Sequence, residues 1–233
     1  MKTKILIAIP IKDNELQELK SFLYSEEADI YVFPEGFLHD TFLEEALKII
    51  CESKKFVITG YKEQSLEGTF EKALIIDNGV IIGEYAKCVL TKGEREKGKK
   101  GGNKIHCINT KFGKIGIPIC YEIHFPEVAR IMANESPVLL VNIIGTGMYH
   151  ETQYEQWTTL AKARAIENEV FVIGCSHYKG EIPLAFAYSP EGKLLLEKKN
   201  YYGGVAIEVD LNDSNKKAIN YLSDRIPEML LLT

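Results

Sequence analysis

Apolar residues fall in short runs between polar turns, and two periodicities alternate along the chain. Runs of β-branched and apolar residues at 4–11, 30–35, 56–60 and 73–77 predict strands bounded by turn residues. Asp77-Asn78-Gly79 signals a tight turn, so 80–90 reads as the return strand of a hairpin. A second hairpin is predicted from 104–110 and 114–120, joined at Lys111-Phe112-Gly113. Four later strands are expected at 138–144, 170–179, 184–189 and 205–211. Helical spacing appears between them: Leu16, Leu19, Phe22 and Leu23 within 14–26, and Phe42, Ala46, Leu47 and Ile50 within 41–53. Pro126 suits the first turn of a helix running to Asn134, and 155–169 carries Trp157, Leu160, Ala161 and Ala165 on one side. Hairpins with interspersed helices predict an α/β layered domain. No repeat, linker or low-complexity segment divides it, so residues 1–233 are read as one domain.

Residues 91–104 break the pattern, with Lys92, Arg95, Lys97, Lys99, Lys100 and Lys104 beside Gly93, Gly98, Gly101 and Gly102. They read as a solvated, mobile surface loop, or alternatively as a loop bordering a site and attracting anionic substrates. Composition adds exclusions. A chain of 233 residues, 45% hydrophobic and 26% charged, can bury a sizeable core without disulfides. A net charge of −5 gives no global positive field for nucleic acid. The apolar stretches fall well short of the roughly 18 residues of a membrane helix, and the start reads as no signal peptide. Five cysteines, an odd number without a C-x-x-C pair, argue against a disulfide framework and a clustered zinc site. The expectation is a cytoplasmic protein with free thiols.

Three segments put a reactive side chain on or near a strand end. In Tyr31-Val32-Phe33-Pro34-Glu35-Gly36, proline stops the ladder and glycine turns the chain, displaying Glu35 as a general base or as a surface carboxylate. In Gly83-Glu84-Tyr85-Ala86-Lys87-Cys88-Val89-Leu90, alternation places Tyr85, Lys87 and Val89 on one face. Lys87 is then either an oxyanion-stabilising ammonium or an edge-strand lysine that discourages aggregation. In Gly116-Ile117-Pro118-Ile119-Cys120-Tyr121-Glu122-Ile123-His124-Phe125-Pro126-Glu127, an apolar strand runs into a cysteine and then a helix start. That is the context of an exposed nucleophile, although a cysteine at an apolar strand end is also often inert.

Together these segments resemble the nitrilase superfamily of carbon–nitrogen hydrolases. Pro34-Glu35 matches its P-E, Tyr85 to Leu90 its Y-x-K-x-x-L, and Gly116 to Glu127 its G-x-x-I-C-Y-D-x-x-F-P-E. Arg164-Ala165-Ile166-Glu167-Asn168 matches R-A-x-E-N, and Asp224-Arg225-Ile226-Pro227-Glu228 matches D-R-x-P-E. The resemblance implies a four-layer α-β-β-α sandwich with a site where the two sheets open at their strand ends. It implies that Glu35 is the base, Cys120 the nucleophile, and Lys87 with the Tyr121 N–H the oxyanion holder. It also implies a second active-site glutamate, Glu94 with Glu96 as the next choice, and needs neither metal nor cofactor. Tyr121, Glu122 and Thr146 are the expected substrate contacts, although Gly145-Thr146-Gly147 also reads as a plain strand-to-loop turn. The implied reaction is hydrolysis of a small amide or carbamoyl compound through a Cys120 thioester, nitriles being the less common substrate, in a homodimer.

Departures from the family pattern are Glu122 in place of Asp, Pro183-Leu184-Ala185 in place of G-x-S, and little C-terminal extension. Two alternatives stand beside the hydrolase: an idle relative that binds small molecules or a protein partner, and a Cys–His protease using His124. The other histidines, His39, His106, His150 and His177, read as surface or hydrogen-bonded residues.

Overall fold

The computed structural model of the chain describes residues 2–12, 15–212, 221, 222 and 224. The first half supplies strands β1 (Thr3–Ile9), β2 (Ile30–Val32), β3 (Leu38–His39), β4 (Phe56–Ser65), β5 (Gly68–Asp77), β6 (Val80–Ala86) and β7 (Lys99–Lys100). Its helices are α1 (Leu16–Ser25), α2 (Leu43–Ser53) and α3 (Lys92–Glu96). The second half supplies β8 (Ile108–Thr110), β9 (Gly113–Gly116), β10 (Leu139–Ile144), β11 (Phe171–Ser176), β12 (Leu184–Tyr188), β13 (Leu194–Lys199) and β14 (Gly203–Val209). Its helices are α4 (Pro126–Ala133) and α5 (Glu151–Asn168).

One sheet runs β14-β1-β2-β4-β5-β6, with β3 on β4 and β7 on β5, and the other runs β13-β12-β11-β10-β9-β8. Strand alternation explains the layering. On β1, Ile5, Ile7 and Ile9 face the second sheet, while Leu6 and Ala8 pack with Leu19 and Phe22 of α1 and with Ala46 and Ile50 of α2. The same split recurs on β5, where Ala73 and Ile75 point inward and Leu74 and Ile76 outward. Helices α4 and α5 cover the far side of the second sheet, burying Met132, Trp157 and Ala161. The result is the expected α-β-β-α sandwich.

Several predicted elements differ in extent. The first hairpin forms with Asn78 and Gly79 both at positive φ, the conformation of a tight two-residue turn. Its return strand stops at Ala86 rather than Leu90, because the N–H groups of Cys88 and Val89 leave the sheet and donate to Glu122 Oε1 at 2.7 and 3.0 Å. Lys87 therefore follows a strand end instead of lying within a strand. Residues 91–104 are not simply a mobile loop: Thr91 and Glu94 form a reciprocal capping box for α3, and Lys99-Lys100 pairs with β5. Strand β13 lacked a pattern because it is a mostly exposed edge whose apolar and charged residues fall in blocks, Leu194-Leu195-Leu196 then Glu197-Lys198-Lys199. Helix α5 starts four residues before the expected position, capped by His150 Nδ1, which accepts from the Gln153 N–H. Its buried face is Tyr154, Trp157, Ala161, Arg164, Ala165 and Asn168, and Leu160 lies beside it, half-buried. Of the closing motif, Asp224 is described and 225–228 lie outside the described residues.

Strands β1, β2, β4 and β6 share one direction, and β9, β10 and β11 run parallel to one another in the facing sheet. Ligand sites in such sheets lie beyond the carboxyl ends of parallel strands, where loops diverge. Glu35 follows β2, Lys87 follows β6, Cys120 follows β9, Gly145 follows β10 and His177 follows β11.

Candidate active site

These strand ends meet in one cleft of about 750 Å³ whose walls include Glu35, Lys87, Glu94, Cys120 and Thr146. Each reactive group has a local reason for its position. After β2 the chain stays paired with β4, through Phe33 N–H to the Ile58 carbonyl at 2.8 Å and Gly60 N–H to the Pro34 carbonyl at 3.1 Å. A Cβ on Gly60 would lie 2.4 Å from Glu35 Cα, so only glycine lets Glu35 seat so low over the sheet. His39 and His177 hold the same turn from above, through ring-nitrogen hydrogen bonds to the carbonyls of Gly36 at 3.2 Å and Glu35 at 3.0 Å.

Cys120 opens a 3-10 turn with φ of +50°, a left-handed conformation that costs a non-glycine residue energy and lifts its side chain clear of the preceding strand. Its surroundings hold it there. Trp157 Nε1 donates to Asn142 Oδ1 at 2.9 Å, and Asn142 Nδ2 donates to the carbonyls of Pro118 at 2.8 Å and Cys120 at 3.2 Å. Arg164 donates to the carbonyls of Ile123 at 3.0 Å and His124 at 3.3 Å while pairing with Glu167 at 3.0 Å. The Arg–Glu–Asn motif on α5 thus buttresses the turn that carries the cysteine.

Lys87 is 1% exposed, and its ammonium donates to Glu35 Oε1 and Glu94 Oε1, both at 2.8 Å. Burial works against its charge, but the carboxylate of Glu35, the adjacent Cys120 and its two hydrogen bonds hold its pKa above the usual ammonium range. Glu94 has the opposite balance. Burial alone would raise it, yet Lys87 and the Thr91 N–H bring it down to about 2, so it is ionised at neutral pH. Its other oxygen caps α3 through Thr91 N–H at 2.8 Å. The Cys120 thiol is pushed up, first by burial and then by Glu35, with Lys87 and the Gly145 N–H opposing. A resting thiol beside a carboxylate and an ammonium is set up for general-base activation rather than for a standing thiolate.

The remaining predicted residues sort differently. Thr146 lines the cleft, but its hydroxyl donates to the Lys179 carbonyl at 2.7 Å and so fastens two loops together. Tyr121 packs its ring on His124 and Phe125 outside the cleft wall. Its N–H lies in the first turn of the 3-10 helix, where backbone donors lack intrahelical partners. Glu122, expected among the substrate contacts, is fully buried away from the cleft. Its carboxylate accepts from Tyr85 OH, Cys88 N–H, Val89 N–H and Ile119 N–H at 2.7–3.0 Å, tying the Lys87 segment to the Cys120 segment. Glu96 is exposed and pairs with Lys92 at 3.8 Å, so Glu94 is the acid facing Lys87. His124 stands edge-on to Trp157 with ring centroids 4.4 Å apart and does not line the cleft.

Local pattern gave no role to Glu71, placed Lys99 only among the lysines of the site-bordering alternative for 91–104, and did not show the closeness of Gly145. Lys99 donates to Glu71 Oε1 at 2.5 Å and to Glu94 Oε1 at 3.4 Å. Burial and the neighbouring Glu35 raise the Glu71 pKa, with Lys99 opposing. A Cβ on Gly145 would lie 2.5 Å from Glu35 Oε2. Alternation along 68–77 could have marked Glu71 as a charge among inward-facing positions, whereas nothing local separates Lys99 from the other lysines of 91–104. All five cysteines are free, and no set of three His, Cys, Asp or Glu side chains converges as metal ligands among the described residues. Among those residues no helix is long and apolar enough to cross a membrane.

Residues 14–208 match the family model for carbon-nitrogen hydrolases. A probable nitrilase of Schizosaccharomyces pombe is 33% identical over 166 residues, a match covering 66% of this chain and 59% of that protein. A deaminated glutathione amidase of Dictyostelium discoideum is 29% identical over 174 residues, with the same 66% and 59% coverage. The chain thus spans about 59% of the length of both. In fold, it superposes on the crystal structure of a carbon-nitrogen hydrolase from Helicobacter pylori G27 with a TM-score of 0.84, covering 98% of this chain and 97% of that one at 18% identity.

Proposed function

Because the chain belongs to the carbon–nitrogen hydrolase family, we propose that it cleaves the C–N bond of a small non-peptide amide or carbamoyl compound through a thioester on Cys120. The observation that carries this reading is the convergence of Glu35, Lys87 and Cys120 in one cleft, with the Lys87 ammonium hydrogen-bonded to Glu35. Glu35 takes the thiol proton as the sulfur adds to the amide carbon. Lys87 and the Tyr121 N–H hold the resulting oxyanion. The C–N bond then breaks, and Glu35 hands the proton to the departing nitrogen, releasing ammonia or an amine. Glu35 next deprotonates a water that adds to the thioester carbon. Collapse expels the sulfur, which recovers the proton and frees the acid. Glu94 keeps Lys87 charged and fixed throughout. A Cys–His protease is disfavoured by the position of His124 against Trp157.

The acyl half carries a carboxylate. In a chain of net charge −5, five lysines (Lys62, Lys87, Lys97, Lys99 and Lys179) line the cleft against three carboxylates (Glu35, Glu71 and Glu94). Lys87 and Lys99 are paired with those acids, and Lys62 and Lys97 add further positive charge to the cleft wall. The same reading takes the protein to be cytoplasmic and a homodimer, and sedimentation of the purified chain tests the dimer.

The deciding experiment is intact-protein mass spectrometry during incubation with succinamic acid, butyramide and further small amides, with Cys120→Ala alongside. An acyl adduct present only with Cys120, and formed faster from succinamic acid than from butyramide, is expected. No adduct from any amide, with Cys120 no more alkylatable than the other four thiols, would overturn the hydrolase in favour of an idle binding protein.

A further inference from the structure

Five charged side chains alternate in sign across the cleft floor. Glu71 meets Lys99 at 2.5 Å, Lys99 meets Glu94 at 3.4 Å, Glu94 meets Lys87 at 2.8 Å, and Lys87 meets Glu35 at 2.8 Å. The reaction proposed above uses the last three and gives Glu71 and Lys99 no role. Both are nevertheless held in place by the backbone. Lys99 belongs to β7, which pairs in parallel with the start of β5, where Thr69 lies opposite Lys99. Glu71 lies two residues further along β5, is 5% exposed, and offers its carbonyl to the Lys87 N–H at 2.9 Å.

We infer that Glu71 and Lys99 are a positioning pair, a charge-neutral unit that keeps the Lys87 ammonium committed to Glu35 and Glu94. The inference rests on the reading of Cys120 as the nucleophile. The argument is one of competition. Lys87 feels the charge of Glu71, so a Glu71 without its lysine is a third carboxylate drawing that ammonium away from the thiol. Lys99 already reaches Glu94 and feels the charge of Glu35, so a Lys99 without Glu71 competes with Lys87 for both acids. Either single loss leaves one uncompensated charge among largely buried side chains, where charges act more strongly than at the surface. Removing both leaves the Glu35–Lys87–Glu94 set with its net charge unchanged.

The test compares Glu71→Gln, Lys99→Met and the double variant by two readouts. One is kcat/KM for the amide that acylates the wild type. The other is the pH dependence of Cys120 alkylation by iodoacetamide, followed by mass spectrometry at that residue. Glu71→Gln adds net positive charge and moves the alkylation profile to lower pH by about half a unit, whereas Lys99→Met moves it to higher pH. Each single variant lowers kcat/KM by about tenfold or more, and the double variant returns to within about threefold of wild type on both readouts. Shifts of the same sign, single variants indistinguishable from wild type, or a double variant that melts like wild type yet works no better than the worse single would each overturn the pairing. If wild-type Cys120 accepts no acyl group from any amide, the functional reading falls separately, since the alkylation profiles test the charge coupling without turnover.

Discussion

Replacing Lys87 by Met tests whether the site is held together by charge. The side chain is buried, and its ammonium stands between two carboxylates at 2.8 Å each, so a methionine of similar length fills the space and removes only the charge and its hydrogen bonds. The magnitude follows from Glu94, held at about 2 against 4.5 for an ordinary glutamate. At about 1.4 kcal/mol for each tenfold in proton affinity, that carboxylate contributes about 3 kcal/mol of folding stability at neutral pH, shared among Lys87, Lys99 and the Thr91 N–H. Stranding Glu35 beside it adds to the cost, and breaking a buried pair generally costs about 3–5 kcal/mol. A loss of about 3 kcal/mol at pH 7 is therefore expected. The sign of the pH dependence is fixed. A carboxylate whose folded pKa is depressed stabilises above its unfolded pKa and loses that contribution as pH falls toward its folded value. The wild type thus gives up the Glu94 contribution between about pH 4.5 and pH 2, and the gap to the variant narrows over that range. Urea unfolding of both proteins at pH 7, 5.5, 4 and 3 measures it, with turnover expected to fall at least about a thousandfold. A destabilisation of equal size at pH 7 and pH 3 would refute the electrostatic account and point to packing instead.

Two further substitutions separate framework from chemistry. Glu122→Gln puts an amide NH₂ where the carboxylate accepts four donors, so at least one buried N–H faces another donor. A loss of about 2–4 kcal/mol is expected in denaturant unfolding, and an unchanged midpoint would show that the carboxylate does not tie the two segments together. Gly145→Ala places a methyl 2.5 Å from Glu35 Oε2, which a swing of the flexible carboxylate can relieve. The melting temperature should hardly change while kcat/KM falls about a hundredfold, and a wild-type rate would remove Glu35 from the reaction.

Much of this molecule is legible in local pattern. The apolar runs of β1, β2, β4 and β5 call for cover on both faces of their sheet, and the family resemblance implied that helices lie on one side and a second sheet on the other. The contexts of Glu35, Lys87 and Cys120 are local too, each a short apolar run that ends where a polar side chain emerges. Backbone preference and burial act over a few residues, so a sequence can display them. Charge pairing does not act that way. Lys87 finds Glu35 across 52 residues, Lys99 finds Glu71 across 28, and Glu122 gathers donors 33 to 37 residues away. Which carboxylate faces the cleft and which lies beneath it depends on how two sheets and a five-residue helix come together. Glu122, beside the nucleophile in sequence, therefore became part of the framework, and Glu94, in a glycine- and lysine-rich stretch resembling a solvated loop, came to the Lys87 ammonium. The chain's own pattern determined the strands and helices, and its motifs, through the family they resemble, pointed to the layers and the candidate trio. Only the tertiary structure decided the partners of each charge, because those interactions form between residues that local sequence does not connect.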